Sequence, residues 1–308
     1  MVPVEVQITS GRLVCPLSHQ SLLIDGEALR TPDGAHVYPY RDGVPILLPE
    51  AQMENYLAEE SGKMAREYAR EYAAADAAVS DRRAFLTRPL VALRRRARYL
   101  AAEDYRSAAC RTAFEAAIGA QPEEALCVAV GGGPTHLHPK LVNLNIAPFA
   151  NVHVVGDAYQ LPYANDAVDA VHCEAVLEHL ELPDVAVAEM FRVLRPGGQL
   201  YAATPFLQPF HAYPNHFQNF TEVGHRRLFE RAGFAIVDSG GCVGPTYAVS
   251  ALVYRYIVNY VRVPLLRELL AGAAGAGALL LRPLDRRINR REDAHQVAST
   301  VFTHAVKR

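Results

Sequence analysis

The stretch Leu126-Cys127-Val128-Ala129-Val130-Gly131-Gly132-Gly133-Pro134 joins an apolar, strand-like run to a glycine turn. Glycine lets the backbone adopt a positive φ and lets a ligand approach it closely. In open α/β sheets, ligands bind beyond the carboxyl ends of the strands, where the strand order reverses. The stretch therefore predicts a ligand site at the end of this strand.

Short β-rich runs alternate with helical stretches on both sides of that turn. The predicted strands are residues 125–130, 141–146, 152–155, 167–173, 199–203 and 234–237, and the clearest helices are 184–194 and 222–232. This alternation is typical of an α/β fold, in which helices cover both faces of a parallel sheet. A last strand, 297–306, is predicted to return to the same sheet.

The remaining sequence divides into regions of different composition. Residues 1–49 are strand-and-turn-like, with glycine and proline between short apolar runs, and predict a small β-rich module. Residues 50–120 are rich in Ala, Glu and Arg and predict a helical linker or cap region. The ligand-binding domain would cover residues 121–308, with a helical insertion at 245–290.

The amino-acid composition indicates the cellular compartment of the protein and argues against some classes of binding partner. The 308 residues include five widely spaced cysteines, which is typical of reduced thiols in a cytoplasmic protein. We see no signal peptide, and no uninterrupted apolar run reaches the ~20 residues that span a bilayer. The formal net charge of −2 argues against nucleic acid as a partner.

Three further motifs follow the glycine turn in order. They are Gly-Asp-Ala-x-x-Leu-Pro from residue 156, Leu-Glu-His from residue 177 and Arg-Val-Leu-x-Pro-Gly-Gly from residue 192. Together they resemble the class I S-adenosylmethionine (SAM)-dependent methyltransferases, especially the ubiquinone/menaquinone-biosynthesis group, over roughly residues 124–240. A dinucleotide site, the competing interpretation, needs Gly-x-Gly-x-x-Gly opening a full helix, and the sequence has neither.

The resemblance implies a Rossmann-like class I methyltransferase sheet that binds SAM and releases S-adenosylhomocysteine. It places Asn145 at the ribose hydroxyls and Asp157 at the adenine amino group, with the glycines against the methionine part. Asp157 could instead serve only as a turn or N-cap residue. The implied cofactor-binding residues are Gly131, Gly132, Gly133, Asn145, Ile146, Asp157, Ala158, Tyr159, Glu174, Ala175, His179, Tyr68 and Tyr72.

Several positions depart from the family pattern. Thr135 replaces the third glycine, Ala129 replaces the acid of the first strand, and Asn145 replaces the ribose acid. Asn145 can still donate and accept hydrogen bonds, but without a charge the bonds are weaker, so we expect a lower cofactor affinity. Tyr68 and Tyr72, four residues apart on one helix face, would cover the methionine end of SAM or serve ordinary helix packing.

The segment 204–217 is the candidate acceptor site. It follows the predicted fifth strand and mixes three prolines with aromatic residues and two histidines. A histidine whose pKa is near ~6.5 is a natural general base at neutral pH. We predict His211 first and His216 second as the base; the alternative is that both only support the loop through hydrogen bonds.

The front of the chain resembles a second family. Cys15-Pro16-Leu17-Ser18 and the run from Tyr38 to Pro49 are similar to the small zinc-ribbon-like activator subunit of tRNA and protein methyltransferases. Metal-binding members use two Cys-x-x-Cys pairs, and tetrahedral zinc needs four ligands. Only Cys15 remains of the first pair, so we expect no structural zinc, and we predict no metal ligand elsewhere.

The sequence leaves the reaction and the assembly open. The leading hypothesis is a SAM-dependent methyltransferase that acts on an oxygen or nitrogen of a small molecule in biosynthesis, for example secondary metabolism. The alternatives are a non-methylating SAM enzyme such as an intramolecular SAM cyclase, an RNA methyltransferase and a catalytically idle scaffold. The block 245–290 could wall the substrate site, form a homodimer face or lie on a membrane without spanning it.

Overall fold

The computed structural model describes residues 1–50, 52–53, 106–133, 137–147, 149–211 and 215–308. Tyr68, Tyr72 and Thr135 lie outside the described residues, as does most of the helical region predicted at 50–120.

One twisted arrangement of strands organises the described chain. The strands are β1 (Leu23–Asp25), β2 (Ala28–Arg30), β3 (Val37–Arg41), β4 (Val44–Leu47), β5 (Cys127–Val130), β6 (Leu141–Asn145), β7 (Val154–Gly156), β8 (Val168–Glu174), β9 (Leu194–Pro205), β10 (Phe234–Val243) and β11 (Thr300–Lys307). They form a sheet in the order β1-β2-β3-β4-β7-β6-β5-β8-β9-β11-β10. From β4 through β9 in this order, neighbouring strands are parallel, whereas β11 is antiparallel to both β9 and β10.

The order of the parallel strands reverses at β5, which lies between β6 and β8. All four residues of β5 are buried, as is typical of a central parallel strand covered on both faces. The carboxyl end of β5 is therefore the topological switch point, and the glycine turn begins there. The predicted α/β fold class is confirmed.

Helices cover this sheet. They are α1 (Val4–Thr9), α2 (Ala108–Phe114), α3 (Pro183–Val193), α4 (Glu222–Arg231), α5 (Pro245–Tyr260) and α6 (Pro264–Ile288). Ser107 caps α2 by accepting a hydrogen bond from the Cys110 N–H, and Thr221 caps α4 by accepting one from Gly224. The helices predicted at 184–194 and 222–232 agree with α3 and α4 to within one residue.

Strands β9 and β10 are longer than the sequence predicts. The predicted strand 199–203 begins earlier in the structure, because Leu194 already pairs with Val168 before residues 195–198 bulge out of register. The predicted strand 234–237 extends to Val243, because β11 pairs with it along its whole length. The predicted return of the last strand to the sheet is observed.

The front part of the chain extends the sheet. Ile46 and Leu47 of β4 pair in parallel with Val155 and Gly156 of β7. Leu13 is fully buried in the same apolar cluster as residues of the central strands. Residues 1–48 thus share their core with the sheet.

The helical insertion contains a long apolar helix. Of the described helices, α6 is long and apolar enough to cross a membrane by length and composition. Glu268 and Arg282 bracket its apolar part, and the thirteen residues between them span about 20 Å, less than the ~30 Å of a bilayer core. Asp285 of α6 also accepts a 2.7 Å hydrogen bond from the Thr246 hydroxyl, which ties α6 to α5.

Candidate functional site

The glycine turn packs closely against the side chain of Val176. Gly131 has a φ of +72°, and a Cβ built on it would lie 2.3 Å from Cγ2 of Val176. Its N–H donates a 2.8 Å hydrogen bond to the carbonyl of Leu144 on β6. Because a side chain fits neither this conformation nor this space, residue 131 has to be glycine.

Asn143 supports the same turn from the neighbouring strand β6. Its buried Nδ2 donates to the Gly133 carbonyl at 3.1 Å. A Cβ on Gly132 would lie 2.4 Å from Asn143 Oδ1, so residue 132 also has no room for a side chain. No motif marks Asn143 as a site residue, although a polar residue within an otherwise apolar strand is a usable signal.

Gly133 differs from Gly131 and Gly132 because there is space for a ligand next to its backbone. Its φ is +65°, and no atom of the described residues lies within 4 Å of a Cβ built there. Among the described residues, the turn is thus closely packed at Gly131 and Gly132 and open at Gly133, where a ligand can come against the backbone.

Asn145 stands at the carboxyl end of β6, next to the glycine turn. Its side chain is mostly buried, and its Oδ1 accepts a 2.9 Å hydrogen bond from the Ala147 N–H. The oxygen is thus engaged in the turn, and the amide nitrogen is the group that can donate to a hydroxyl. The next residue, Ile146, is 44% exposed at this edge.

Asp157 follows the end of β7 and is already hydrogen-bonded on both oxygens. Oδ1 accepts from the Tyr159 N–H at 2.9 Å, which is the turn role considered from the sequence, and Oδ2 accepts from Nε2 of Gln52 at 2.7 Å. An adenine amino group would share Asp157 with Gln52. Gln52 was missed, because it lies 105 residues away in the chain. Ala158 packs against the apolar core beside it.

Glu174, at the end of β8, forms a two-pronged ion pair with Arg106. Arg106 Nη1 donates to Oε2 at 3.1 Å and Nη2 donates to Oε1. Nε2 of the buried His172 lies 3.4 Å from Oε2. Burial by itself would raise the pKa of Glu174, but the hydrogen bond with His172 and the charge of Arg106 outweigh it and lower that pKa to about 2. His172 and Arg106 together keep this carboxylate ionised, and no sequence motif marks Arg106 as a site residue.

Ala175 connects Glu174 to the contact with the glycine turn. Its φ of +54° lies in the left-handed region, which is unfavourable by about 1 kcal/mol for a residue with a Cβ. The Ala175 N–H donates to the carbonyl of Ala203 on β9 at 3.0 Å. This bend carries the chain from Glu174 to Val176, the residue that packs on Gly131.

Three histidines and one glutamate meet beyond β8 and β9. Glu178 and His179 lie in a 3₁₀ turn, Leu177–His179, and the Glu178 side chain is fully buried. The Nε2 atoms of His179 and His211 each lie 3.8 Å from Glu178 Oε1. The rings of His211 and His216 are 4.3 Å apart between centroids. The structure thus brings together the Leu-Glu-His motif and the two candidate bases.

The two candidate bases differ in their hydrogen bonds. His216 Nδ1 accepts from the His211 N–H at 3.1 Å, so its Nε2 donates to Asn219 Oδ1 at 2.8 Å and both nitrogens are engaged. His211 Nδ1 donates to the Pro209 carbonyl at 3.1 Å, so Nε2 carries the lone pair of the neutral ring. The Glu178 carboxylate raises the pKa of His211, and burial opposes that rise.

Residues 135–202 match the family model described as "Methyltransferase domain". A probable SAM-dependent methyltransferase of Mycolicibacterium smegmatis is 36% identical over 97 residues, which is 28% of this chain and 36% of that protein. A ubiquinone/menaquinone biosynthesis C-methyltransferase of Vibrio parahaemolyticus is 28% identical over 126 residues, 40% of this chain and 42% of that protein. The chain thus spans less than half the length of these relatives.

Among solved structures, the chain is similar to a complex of a methyltransferase activator with a methyltransferase from Haloferax volcanii. The identity is 15%, the match covers 70% of this chain and 94% of that chain, and the TM-score is 0.42. The sequence matches confirm the coarse prediction of a methyltransferase domain that uses SAM. The zinc-ribbon-like likeness of residues 1–49 stays a prediction.

The described residues fit this cofactor. The space beside the Gly133 backbone, which a side chain would fill, can hold part of the cofactor, and we call it the cofactor cradle. This space lies at the switch point of the sheet. Asn145 and Asp157 follow on the next two strands, in the order in which a ribose and an adenine would continue from that cradle.

We expect the substitution Arg106→Gln to destabilise the protein in a pH-dependent way. The pKa of Glu174 is about 2 in the folded protein, against an ordinary value of 4.5. The ion pair with Arg106 therefore contributes to the free energy of unfolding above about pH 4.5, and this contribution is lost as the pH falls through about 2. With partial exposure taken into account, R106Q should lower the free energy of unfolding by about 1–2 kcal/mol at pH 7. Urea unfolding at several pH values measures this.

The matched control is Arg30→Gln, which breaks an exposed pair with Asp25 in the front part of the chain. R30Q should change the free energy of unfolding by less than about 0.5 kcal/mol. The R106Q difference should shrink between pH 5 and pH 3. A difference that is absent at pH 7, or constant over this range, contradicts the assigned role of Arg106.

Proposed function

We propose that this chain transfers the methyl group of SAM to a hydroxyl or amine of a small-molecule acceptor. The observation that carries the proposal is the accessible glycine turn at the switch point, with Asn145 and Asp157 at the ends of the two adjacent strands. The match of residues 135–202 to a methyltransferase domain supports it.

The strand order gives the cofactor a direction. The glycine turn follows β5, Asn145 ends β6, and Asp157 follows β7, so these sites lie side by side along one edge. We infer that the methionine part lies on the glycine turn, the ribose at Asn145 and the adenine at Asp157. The sulfonium then faces the other side of β5, toward β8 and β9. His179, His211 and His216, which form the histidine cluster, lie on that side.

The described side chains can position an acceptor and take its proton. SAM supplies an activated methyl carbon for in-line displacement, and the protein supplies orientation and a base. His211 fits the base role better than His216, because its Nε2 lone pair is available whereas both nitrogens of His216 are engaged. Glu178, whose Oε1 lies 3.8 Å from the same Nε2, stabilises the imidazolium that forms.

A homodimer face or a membrane contact on the helices α5 and α6 stays a prediction. Many large apolar side chains of these helices are exposed, among them Leu252, Tyr256, Leu265 and Leu280. A wall for the acceptor site is a third role for the same block.

The substitution Gly133→Ala tests the cofactor site. It adds a methyl group where the backbone is open, so the protein should fold with a loss of about 1–2 kcal/mol for the left-handed backbone. If the methionine part of SAM lies against Gly133, the dissociation constant for SAM should rise at least about tenfold, equal to about 1.4 kcal/mol. Isothermal titration calorimetry measures it.

Gly26→Ala is the matched control, since Gly26 has a φ of +60° and equally open surroundings in the front part of the chain. It should cost similar stability and leave SAM affinity unchanged. Equal SAM affinity of G133A and the unaltered protein would remove Gly133 from the site.

The substitution His211→Ala tests the acceptor side. It removes the proton acceptor, so methyl transfer should fall by about 10²-fold or more while SAM still binds. Release of S-adenosylhomocysteine, followed by mass spectrometry with a panel of phenols, hydroxy acids and amines, measures turnover. The remote His36→Ala serves as control.

Two results would contradict this account. Unchanged turnover in H211A would exclude His211 as the base. Methylthioadenosine formed from SAM without any acceptor would indicate an intramolecular cyclisation instead of methyl transfer.

A further inference from the structure

We propose that Glu178, His179 and His211 form a binding site for a divalent transition-metal ion. One carboxylate oxygen and two imidazole nitrogens from these residues lie within 4.8 Å of one another. From the sequence we predict no metal ligand, and no local spacing marks this pair, since His179 and His211 are 32 positions apart.

The first argument is the state of Glu178. Its side chain is fully buried, and neither carboxylate oxygen has a partner at hydrogen-bond distance among the described residues; the two imidazole nitrogens lie 3.8 Å from Oε1. Its backbone is fixed, because the Glu178 carbonyl accepts a 2.8 Å hydrogen bond from the Phe217 N–H. A buried carboxylate without a partner is strongly unfavourable unless a cation compensates it.

The second argument is the orientation of the two imidazoles. His179 Nδ1 bonds to the carbonyl of Asn215, and His211 Nδ1 bonds to the carbonyl of Pro209. In its neutral form each ring donates through Nδ1 and turns an Nε2 lone pair toward the same Glu178 oxygen. Two lone pairs that face a carboxylate repel it, whereas a cation between them attracts all three. Histidine ligands of metals commonly donate their other N–H to a backbone carbonyl in this way.

The distances suit a small ion. Bonds of about 2.1 Å in tetrahedral geometry hold ligand atoms about 3.4 Å apart. Both nitrogens lie 3.8 Å from Glu178 Oε1, so small side-chain adjustments suffice to close the site. Two imidazoles and a carboxylate favour zinc or a similar first-row ion over magnesium, which prefers oxygen ligands.

Three protein ligands leave a coordination position for another molecule. The site lies on the side of β5 where we place the acceptor, so an acceptor oxygen could take that position, where a bound metal lowers its pKa. With a metal bound, the ion would use the His211 lone pair, so the acceptor oxygen would release its proton to bulk water and His211 would act as a ligand and not as the base. This consequence rests on the proposed methyl transfer, whereas metal binding does not.

Titration of the chelator-treated full chain with ZnCl₂, without SAM or acceptor, tests the site. Calorimetry should show saturable binding, and CoCl₂ should give the visible absorption of low-coordinate cobalt. Glu178→Gln and His211→Ala should each weaken this binding at least about 100-fold. His36→Ala should bind like the unaltered protein, and MgCl₂ should not compete.

Thermal unfolding gives a second readout that does not depend on activity. Zinc should raise the midpoint of the unaltered protein and leave that of E178Q unchanged. Without metal, E178Q should be as stable as the unaltered protein or more stable, because it removes a buried charge. If the unaltered protein and E178Q bind zinc equally, or if neither binds it, the proposal is wrong, whatever the outcome for SAM.

Discussion

The contact between Gly131 and Val176 is the constraint on which the rest of the site depends. It brings the turn after β5 to within van der Waals distance of the turn after β8, and no side chain fits between them. The two turns are thereby fixed against each other at the switch point of the sheet. Through this contact, the proposed cofactor cradle and the histidine cluster share one rigid support.

The bend at Ala175 and the Arg106 ion pair belong to the same support. Ala175 adopts a left-handed conformation that brings Val176 onto Gly131, and Glu174 just before it is anchored by Arg106 and His172. A strained residue persists only where its surroundings hold it in place. The half-buried ion pair on one side and the hydrogen bond to Ala203 on the other provide that hold.

The sequence predicts the frame of this protein well, because its signals are local. Apolar runs, the glycine turn and the motif order predict the parallel strands, the switch point and the placement of Asn145 and Asp157 at the sheet edge. The bulge after Leu194 and the full length of β10 depend on pairing with distant strands, so their ends differ from the prediction.

The partners of the site residues could not be predicted in this way. Gln52 reaches Asp157 across 105 positions, and Arg106 reaches Glu174 across 68. No local pattern marks such pairs, because they arise only when the sheet brings separate segments together. The same holds for Glu178 and His211, whose individual motifs were recognised but whose contact was not.

The central claim is that SAM binds along the carboxyl ends of the parallel strands, with its sulfonium toward the histidine cluster. A crystal structure with S-adenosylhomocysteine tests it most directly. The account predicts the homocysteine part against Gly133, the ribose at Asn145, the adenine beside Asp157 and the sulfur on the side of His211. A ligand bound elsewhere, or one bound with its adenine at the histidine cluster, would contradict it.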